Sequence, residues 1–258
     1  MSINVAKILC LDIETAPAKV YTWGLWDQNI GINQIVEDGY VLCWCAKWSN
    51  EKEIKSDALI NYTEYYKKNP RCDKKIAESI WKLVNDADVV VTHNGNSFDL
   101  KWLNTIFVKN GLKPVSPYKS VDTCSVVKNK FRFISNKLDF LCKKLNLGQK
   151  INTKFELWEK CMTGDKESWG KMVKYCKHDV RLLEKLYLSI RPYISNHPNM
   201  NLYNGVIGAT CPNCSKKNLE RRGYAYTNEY KYQRYVCKSC GKWSRGKEFI
   251  DKSPIAGV

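Results

Sequence analysis

Apolar residues follow two rhythms along this chain. KILCLDI (residues 7–13), GYVLCWCAKW (39–48) and DVVVTH (88–93) are short, almost unbroken apolar runs, which predict buried strands. KEIKSDALI (52–60) predicts a weaker strand and KSVDT (119–123) another short one. Between Asp73 and Ala87 the spacing changes. There Ile76, Ile80, Leu83 and Val84 fall on one helical face. Further helices are predicted from Asp99 to Asn110, with Gly111 as its cap, and within NKLDFLCKKLNLG (136–148), closed by Gly148. A long one runs from Glu167 to Ile190 and stops before Pro192. TAPAKVYTWGLWDQNIG (15–31) has no period and reads as a long loop.

Strands come first and later alternate with helices, which predicts an α/β fold: a mixed sheet flanked by helices. The polar segment SNHPNMNLYNG (195–205) predicts a boundary, giving domains at 1–200 and 205–258. Beyond it, Tyr224/Tyr226 and Tyr230/Tyr232 alternate around a TNE turn, as a β-hairpin does. A chain of 258 residues buries one sizeable core and carries a small second module. No apolar run approaches the roughly 18 residues that span a bilayer. The opening residues lack the zones of a signal peptide. A cytoplasmic protein without a membrane partner is expected.

Charge sharpens this picture. Lys and Arg number 42 against 26 Asp and Glu, a net charge of +16. From Asn201 onward the counts are 11 against 4. Such an excess points to a polyanionic partner, nucleic acid first. Of twelve cysteines most lie among apolar neighbours, as reduced, buried cysteine does. Only Cys211/Cys214 and Cys237/Cys240 are regular. Two Cys-x-x-Cys knuckles complete a four-thiolate site for one structural Zn²⁺. Arg221, Arg222, Lys231 and Arg234, interleaved with the hairpin tyrosines, are candidates for contacting nucleic acid; the same tyrosines also suit the packing of a very small core.

Four acidic residues stand out. Asp12 and Glu14, two apart on a strand, leave by the same face and repel unless a cation or proton lies between them. Asp99 opens a helix, where N-capping alone accounts for an aspartate. Asp179 follows Tyr175 by four residues, so the two share a helix face, and a surface ion pair is its plainest explanation.

Together these residues carry a resemblance. LDIET, NGNSFD and YCKHD, in this order and setting, resemble the three motifs of DnaQ-like, DEDD-type 3′-5′ exonucleases of the RNase H-like superfamily. The second motif has the form seen in proofreading domains of family B DNA polymerases. The resemblance covers about residues 5–195. It implies that Asp12, Glu14, Asp99 and Asp179 hold two Mg²⁺ or Mn²⁺ ions, which would sit about 3.5–4 Å apart. One branch of the family has histidine five positions before the last aspartate, where this chain has Lys174. The other has tyrosine four before it, where this chain has Tyr175. The resemblance therefore implies the tyrosine branch, with Tyr175 positioning the attacking water. His178, one residue from Asp179, points off that face. Asn94 matches the second motif and is a candidate for substrate contact. His93 suits a structural role as well as a functional one, and Asp122 recurs in relatives mainly as a supporting residue.

The cysteine module resembles a zinc ribbon. The implied function is a 3′-5′ exonuclease releasing nucleoside monophosphates, with DNA favoured over RNA and single-stranded or frayed ends preferred. A replication or repair protein is an expected partner, and a phage or bacterial source suits the Lys/Asn-rich composition. Two alternatives stay open at this stage. One is an endonuclease or structure-specific nuclease on the same fold. The other is a non-catalytic adaptor that binds nucleic acid through the ribbon.

Overall fold

A computed structural model describes residues 5–206 and 208–255. The chain forms two compact units, Lys7–Leu186 and a second that runs from Tyr187 onward and includes Ala6.

The first unit is built on strand β1 (Ile8–Ala16), followed by a small hairpin of β2 (Lys19–Val20) and β3 (Ile35–Glu37), then β4 (Tyr40–Trp48) and β5 (Lys55–Ala58). Helices α1 (Thr63–Lys68) and α2 (Lys74–Asn85) precede β6 (Val89–Thr92); α3 (Asp99–Lys109) precedes β7 (Lys119–Asp122). Helices α4 (Thr123–Lys130), α5 (Leu138–Lys144), α6 (Glu156–Met162) and α7 (Lys166–Ile190) complete it, α7 continuing into the second unit. The main sheet has the order β5-β4-β1-β6-β7, and only the neighbours of β6 run parallel to it. This is the mixed α/β architecture that the pattern predicts.

Strand β1 lies at the centre because it is apolar on both faces. It pairs with β4 from Leu9–Trp48 to Ala16–Tyr40, and with β6 only from Ile8–Val89 to Cys10–Val91. Asp12 and Glu14 therefore lie past the last paired residue of β6, where the parallel strand has turned away. Such an opening at the carboxyl ends of parallel strands is the usual place for a site in an open sheet. Helices cover both faces. Trp44 Nε1 donates to Ser79 of α2 at 3.1 Å, while the next residue, Cys45, meets the Val173 carbonyl of α7 from the opposite face. Lys47 and Glu184, both largely buried, pin α7 to β4 at 2.5 Å.

The hairpin β2–β3 carries an arm on which Tyr21, Leu25 and Ile32 are exposed, as are Trp23 (99% exposed) and Trp26 (82%). Gly111 takes φ +70° one residue past the α3 cap, as its place predicts. Helix α5 ends differently from expectation: Asn146 (φ 54°), not Gly148, makes the left-handed turn beyond Lys144.

The second unit holds the end of α7, helix α8 (Met200–Tyr203) and strands β8 (Leu219–Tyr226), β9 (Tyr230–Cys237) and β10 (Trp243–Lys252), paired antiparallel in the order β10-β9-β8. The predicted hairpin is β8–β9; β10 adds a third strand. No helix among the described residues is long and apolar enough to cross a membrane.

Candidate active site

Three elements bring the acidic residues together. Strand β1 supplies Asp12 and Glu14, the first turn of α3 supplies buried Asp99, and the middle of α7 supplies Tyr175 and buried Asp179. Asp99 does not cap its helix with its side chain; Phe98 holds the cap position. Instead Asp99 Oδ1 accepts the Ile13 amide at 3.2 Å, which ties the start of α3 to the strand between Asp12 and Glu14.

The turn ahead of α3 is shaped by close approach. A side chain on Gly95 would overlap the Thr92 hydroxyl, so only glycine fits. Asn94 sits at φ 67° with its side chain exposed. Asp122 organises this loop. Its carboxylate accepts the Asn94 and Asn96 amides at 2.8 and 3.3 Å and caps α4 through Cys124 and Ser125. His93 is satisfied structurally, with Thr123 Oγ1 at 2.9 Å and the Asn136 carbonyl at 2.8 Å. Burial lowers its pKa.

The carboxylates burden one another. Burial pushes Asp12 well above the usual range, reinforced by Asp99, Glu14 and Asp179. Glu14 is pushed up to about 8, by burial and then by Asp179. Asp99 reaches about 6, chiefly through burial. Burial also raises Asp179, against the pull of Lys150. Asp12, Glu14 and the Cys176 thiol have ligand atoms within 4.8 Å of one another. Asp99 and Asp179 act on Asp12 and Glu14 through charge and stand outside that tight group.

Two neighbours escaped sequence reading. Cys176, one residue after Tyr175, is buried with Sγ 3.7 Å from Asp12 Oδ2. Lys150, in the loop after α5, places its ammonium on Asp179 Oδ2 and 3.2 Å from the Tyr175 hydroxyl. Burial alone would lower the Lys150 pKa, but Asp179 raises it, so the lysine stays charged. Nothing in the sequence separates it from the other 41 basic residues. His178 does not join this face; its Nε2 bonds the Gln149 carbonyl at 2.7 Å and so steadies the residue before Lys150.

Tyr175 is gripped by Trp158 of α6, edge-on at 5.9 Å between ring centres. Burial, then Asp179, pushes its phenol up to about 12. It remains protonated at neutral pH; its oxygen accepts from Lys150 and its own proton is left to donate. A cavity of about 480 Å³ opens beside it, lined by Lys143, Lys150, Asn152 and Thr153 among others. That is within the size range of small-ligand sites.

The donors suit a divalent cation. Asp179 Oδ1 is buried and finds no hydrogen-bond partner among the described residues, and the carboxylates around it are raised by mutual repulsion. All are oxygen donors except Cys176.

The four regular cysteines form a second cluster. Their sulfurs lie within 4.8 Å of one another, with Cys211–Cys240 at 3.6 Å and Cys214–Cys237 at 3.7 Å. Sulfurs bound about 2.3 Å from one tetrahedral zinc stand about 3.8 Å apart, so the fit is close. The two knuckles repeat one backbone design. The Ser215 and Gly241 amides donate to the Cys211 and Cys237 carbonyls, both at 2.8 Å, and both residues have left-handed φ. The Cys211 and Cys237 amides in turn donate to Lys216 and Lys242. The register divides the basic residues of this module. Arg234 lies on one face of the sheet, Arg221 and Lys231 lie on the other, and Arg222 falls in the β8 irregularity.

A family model of the RNase H superfamily, RNase_H_2, matches residues 46–191. The matched span contains Asp99, Tyr175 and Asp179 and begins after Asp12 and Glu14. No curated protein matches the chain. Among solved structures, the family B DNA polymerase of the hyperthermophilic archaeon Pyrobaculum calidifontis is similar in fold, with a TM-score of 0.54 and 16% identity over 88% of this chain. The chain spans about a third of that polymerase, 32% of its length.

Proposed function

The chain belongs to the RNase H superfamily, and from that premise we propose that it is a metal-dependent 3′-5′ exonuclease. It removes nucleoside monophosphates from nucleic-acid ends, DNA in preference to RNA and single-stranded or frayed ends in preference to paired ones. One observation carries the reading: carboxylates from β1, α3 and α7 crowd one another while Asp179 Oδ1 is buried without a hydrogen-bond partner among the described residues. Asp179 does form the ion pair that its sequence setting suggests, with Lys150 through Oδ2, but it is buried and Oδ1 is left over.

Asp12, Glu14, Asp99 and Asp179 would hold two Mg²⁺ or Mn²⁺ ions, which oxygen donors favour over zinc. Bound there, the ions lower the pKa of a water molecule and stabilise the departing 3′ oxygen. The chain supplies the rest. Tyr175, a phenol held up near 12, donates a hydrogen bond and orients oxygen beside Asp179 rather than taking a proton. Glu14 is raised only by burial and by its neighbouring carboxylates, a repulsion that a bound cation would relieve, so it would serve the ions as its carboxylate. Lys150 holds the Tyr175 hydroxyl and Asp179 in one arrangement. The cavity beside Tyr175 receives the terminal nucleotide, and exposed Asn94 contacts the same end. The nuclease part extends to about residue 200, and a zinc-stabilised ribbon follows from 205.

The test uses 5′- and 3′-labelled DNA and RNA, single- and double-stranded, with Mg²⁺ or Mn²⁺. Stepwise loss from the 3′ end by the wild type, absent in Asp12→Ala, is expected. Cutting of circular single strands would replace the exonuclease with an endonuclease. Identical behaviour of wild type and Asp12→Ala on every substrate would overturn hydrolysis altogether.

A further inference from the structure

We propose that one face of the β8–β10 sheet is a stacking platform for single-stranded nucleic acid, separate from the carboxylate site. It rests on nucleic acid being the partner, but not on its hydrolysis.

Alternation along β9 sends Tyr230, Tyr232 and Arg234 to one face. Register adds Trp243, Arg245, Phe249 and Lys252 from β10, opposite Val236, Arg234, Tyr232 and Tyr230. Ring geometry across the strands agrees with that placement. Arg245 lies 3.7 Å over the Tyr232 ring, Arg234 4.8 Å over Trp243 and Lys252 5.6 Å over Tyr230. Tyr230 meets Phe249 at 5.2 Å and Tyr232 at 6.1 Å.

Four aromatic rings and three cations thus share a surface on which Trp243, Phe249 and all three cations are exposed. A core-forming cluster would hide its rings and would have no use for three cations. Across residues 219–252 basic residues outnumber acidic ones nine to four, so the surroundings also attract an anion.

The chemistry selects the occupant. Rings, and guanidinium planes lying on rings, offer flat faces to bases, while the cations meet phosphates. Bases in a duplex already stack on each other, so a sheet face of this kind fits unpaired strands. Stacking does not depend on sequence, because every base has a π-face. An apolar protein partner would find cations in the middle of its interface, and an acidic one would leave the rings unused.

The experiment measures binding by the full chain carrying Asp12→Ala, which removes turnover, to labelled oligonucleotides of about 20 residues, long enough for one such site: single-stranded DNA, single-stranded RNA and duplex DNA. Zinc content is checked in every variant, so loss of the ribbon fold is recognised. Arg234→Ala/Arg245→Ala/Lys252→Ala is expected to weaken single-strand binding at least about tenfold. It should also flatten the slope of log affinity against log salt by roughly 2, at about 0.7 for each phosphate no longer neutralised. Trp243→Ala is expected to cost at least about fivefold, the lower end for one stacked base. Lys217→Ala, an exposed lysine just before β8, should leave binding unchanged.

The DNA and RNA arms identify which strand is preferred. Unchanged affinity and slope in the zinc-replete triple variant overturn the proposal, as does tighter binding to duplex. Equal damage from Lys217→Ala overturns it too, because a diffuse positive field would then suffice. If the platform holds while no variant or substrate shows hydrolysis, the nuclease reading fails and this one stands.

Discussion

The described residues include two clusters of side chains that could hold a metal ion, and they lie in contrasting surroundings. The carboxylates sit in a large core that covers both faces of a five-stranded sheet, so the fold around them does not need a metal. Lys150 already supplies one positive charge, and the Ile13 amide holds Asp99. The four thiols sit in a small module with few buried side chains, and they face one another. Burial pushes Cys211 up to about 12. Burial raises Cys240 as well, but hydrogen bonds from Asn213 and the Lys242 backbone outweigh it and bring that thiol to about 7. The carboxylates thus belong to a large sheet-based core, while the four thiols lie in a module that buries little else.

The sharpest way to break this comparison is to remove one ligand from each cluster. Asp12→Ala should cut hydrolysis on the order of 10⁴-fold, the kinetic equivalent of several kcal/mol of lost transition-state stabilisation. Its thermal midpoint should stay level or rise, because a repelling carboxylate has gone. A large fall in midpoint would show that the acids are structural.

Cys237→Ser should do the reverse. The ribbon should unfold and become protease-sensitive from about Thr210 onward, because zinc binding and folding are one transition in such modules. Hydrolysis of a dinucleotide should persist.

Within the acidic cluster, Tyr175→Phe should lower turnover about 10²-fold, the scale for one well-placed donor, while metal titration stays unchanged. His178→Ala should cost only about 1 kcal/mol of stability, one hydrogen bond's worth, and less than about fivefold in rate. If the histidine variant proves the worse of the two, the tyrosine assignment fails.

The most specific effect is on pH dependence. Glu14 and Asp99 have pKa values raised on folding, to about 8 and about 6. For such groups the native state favours the protonated form. Their stabilisation is complete below about pH 4, the ordinary carboxylate range, and is lost as pH rises through about 6 and then about 8. The metal-free midpoint should therefore decline from about pH 5 to about pH 8, and added Mg²⁺ should raise it more at the upper end than at the lower. Equal gains at both would mean that the ions do not neutralise this cluster.

How far the sequence disclosed all this depended on the length of each pattern. Strands β1, β4 and β6 and helices α2, α3 and α7 are long or dense enough in apolar residues to show their period. Helix α4 is eight residues with three buried, and its start is fixed by the Asp122 side chain, a tertiary fact as much as a local one. Strand β10 is broken by Gly246 and by the mostly charged run after it, so it lacks alternation. Asp12, Glu14, Asp99, Tyr175 and Asp179 could be picked out because their three motifs together resemble those of a known family; taken singly, helix capping or a surface pair accounted for Asp99 and Asp179. Lys150 could not, because a loop lysine has no period and its partner lies 29 residues away. Cys176 was hidden among many buried cysteines, and only the packing of α7 against β1 reveals its neighbour.

The arm between β2 and β3 leaves one practical legacy. Of nine tryptophans, Trp44, Trp48 and Trp169 are buried, while Trp23 and Trp26 stand almost wholly in water. The two sets emit at different wavelengths. Dilute acrylamide quenches the red-shifted emission of the arm first and leaves the blue-shifted core emission. Trp243, also exposed, adds to the quenchable emission, so Trp243→Ala is needed before that signal reports on the arm. Whatever settles on that arm will announce itself as a blue shift and a loss of quenching, with no label attached.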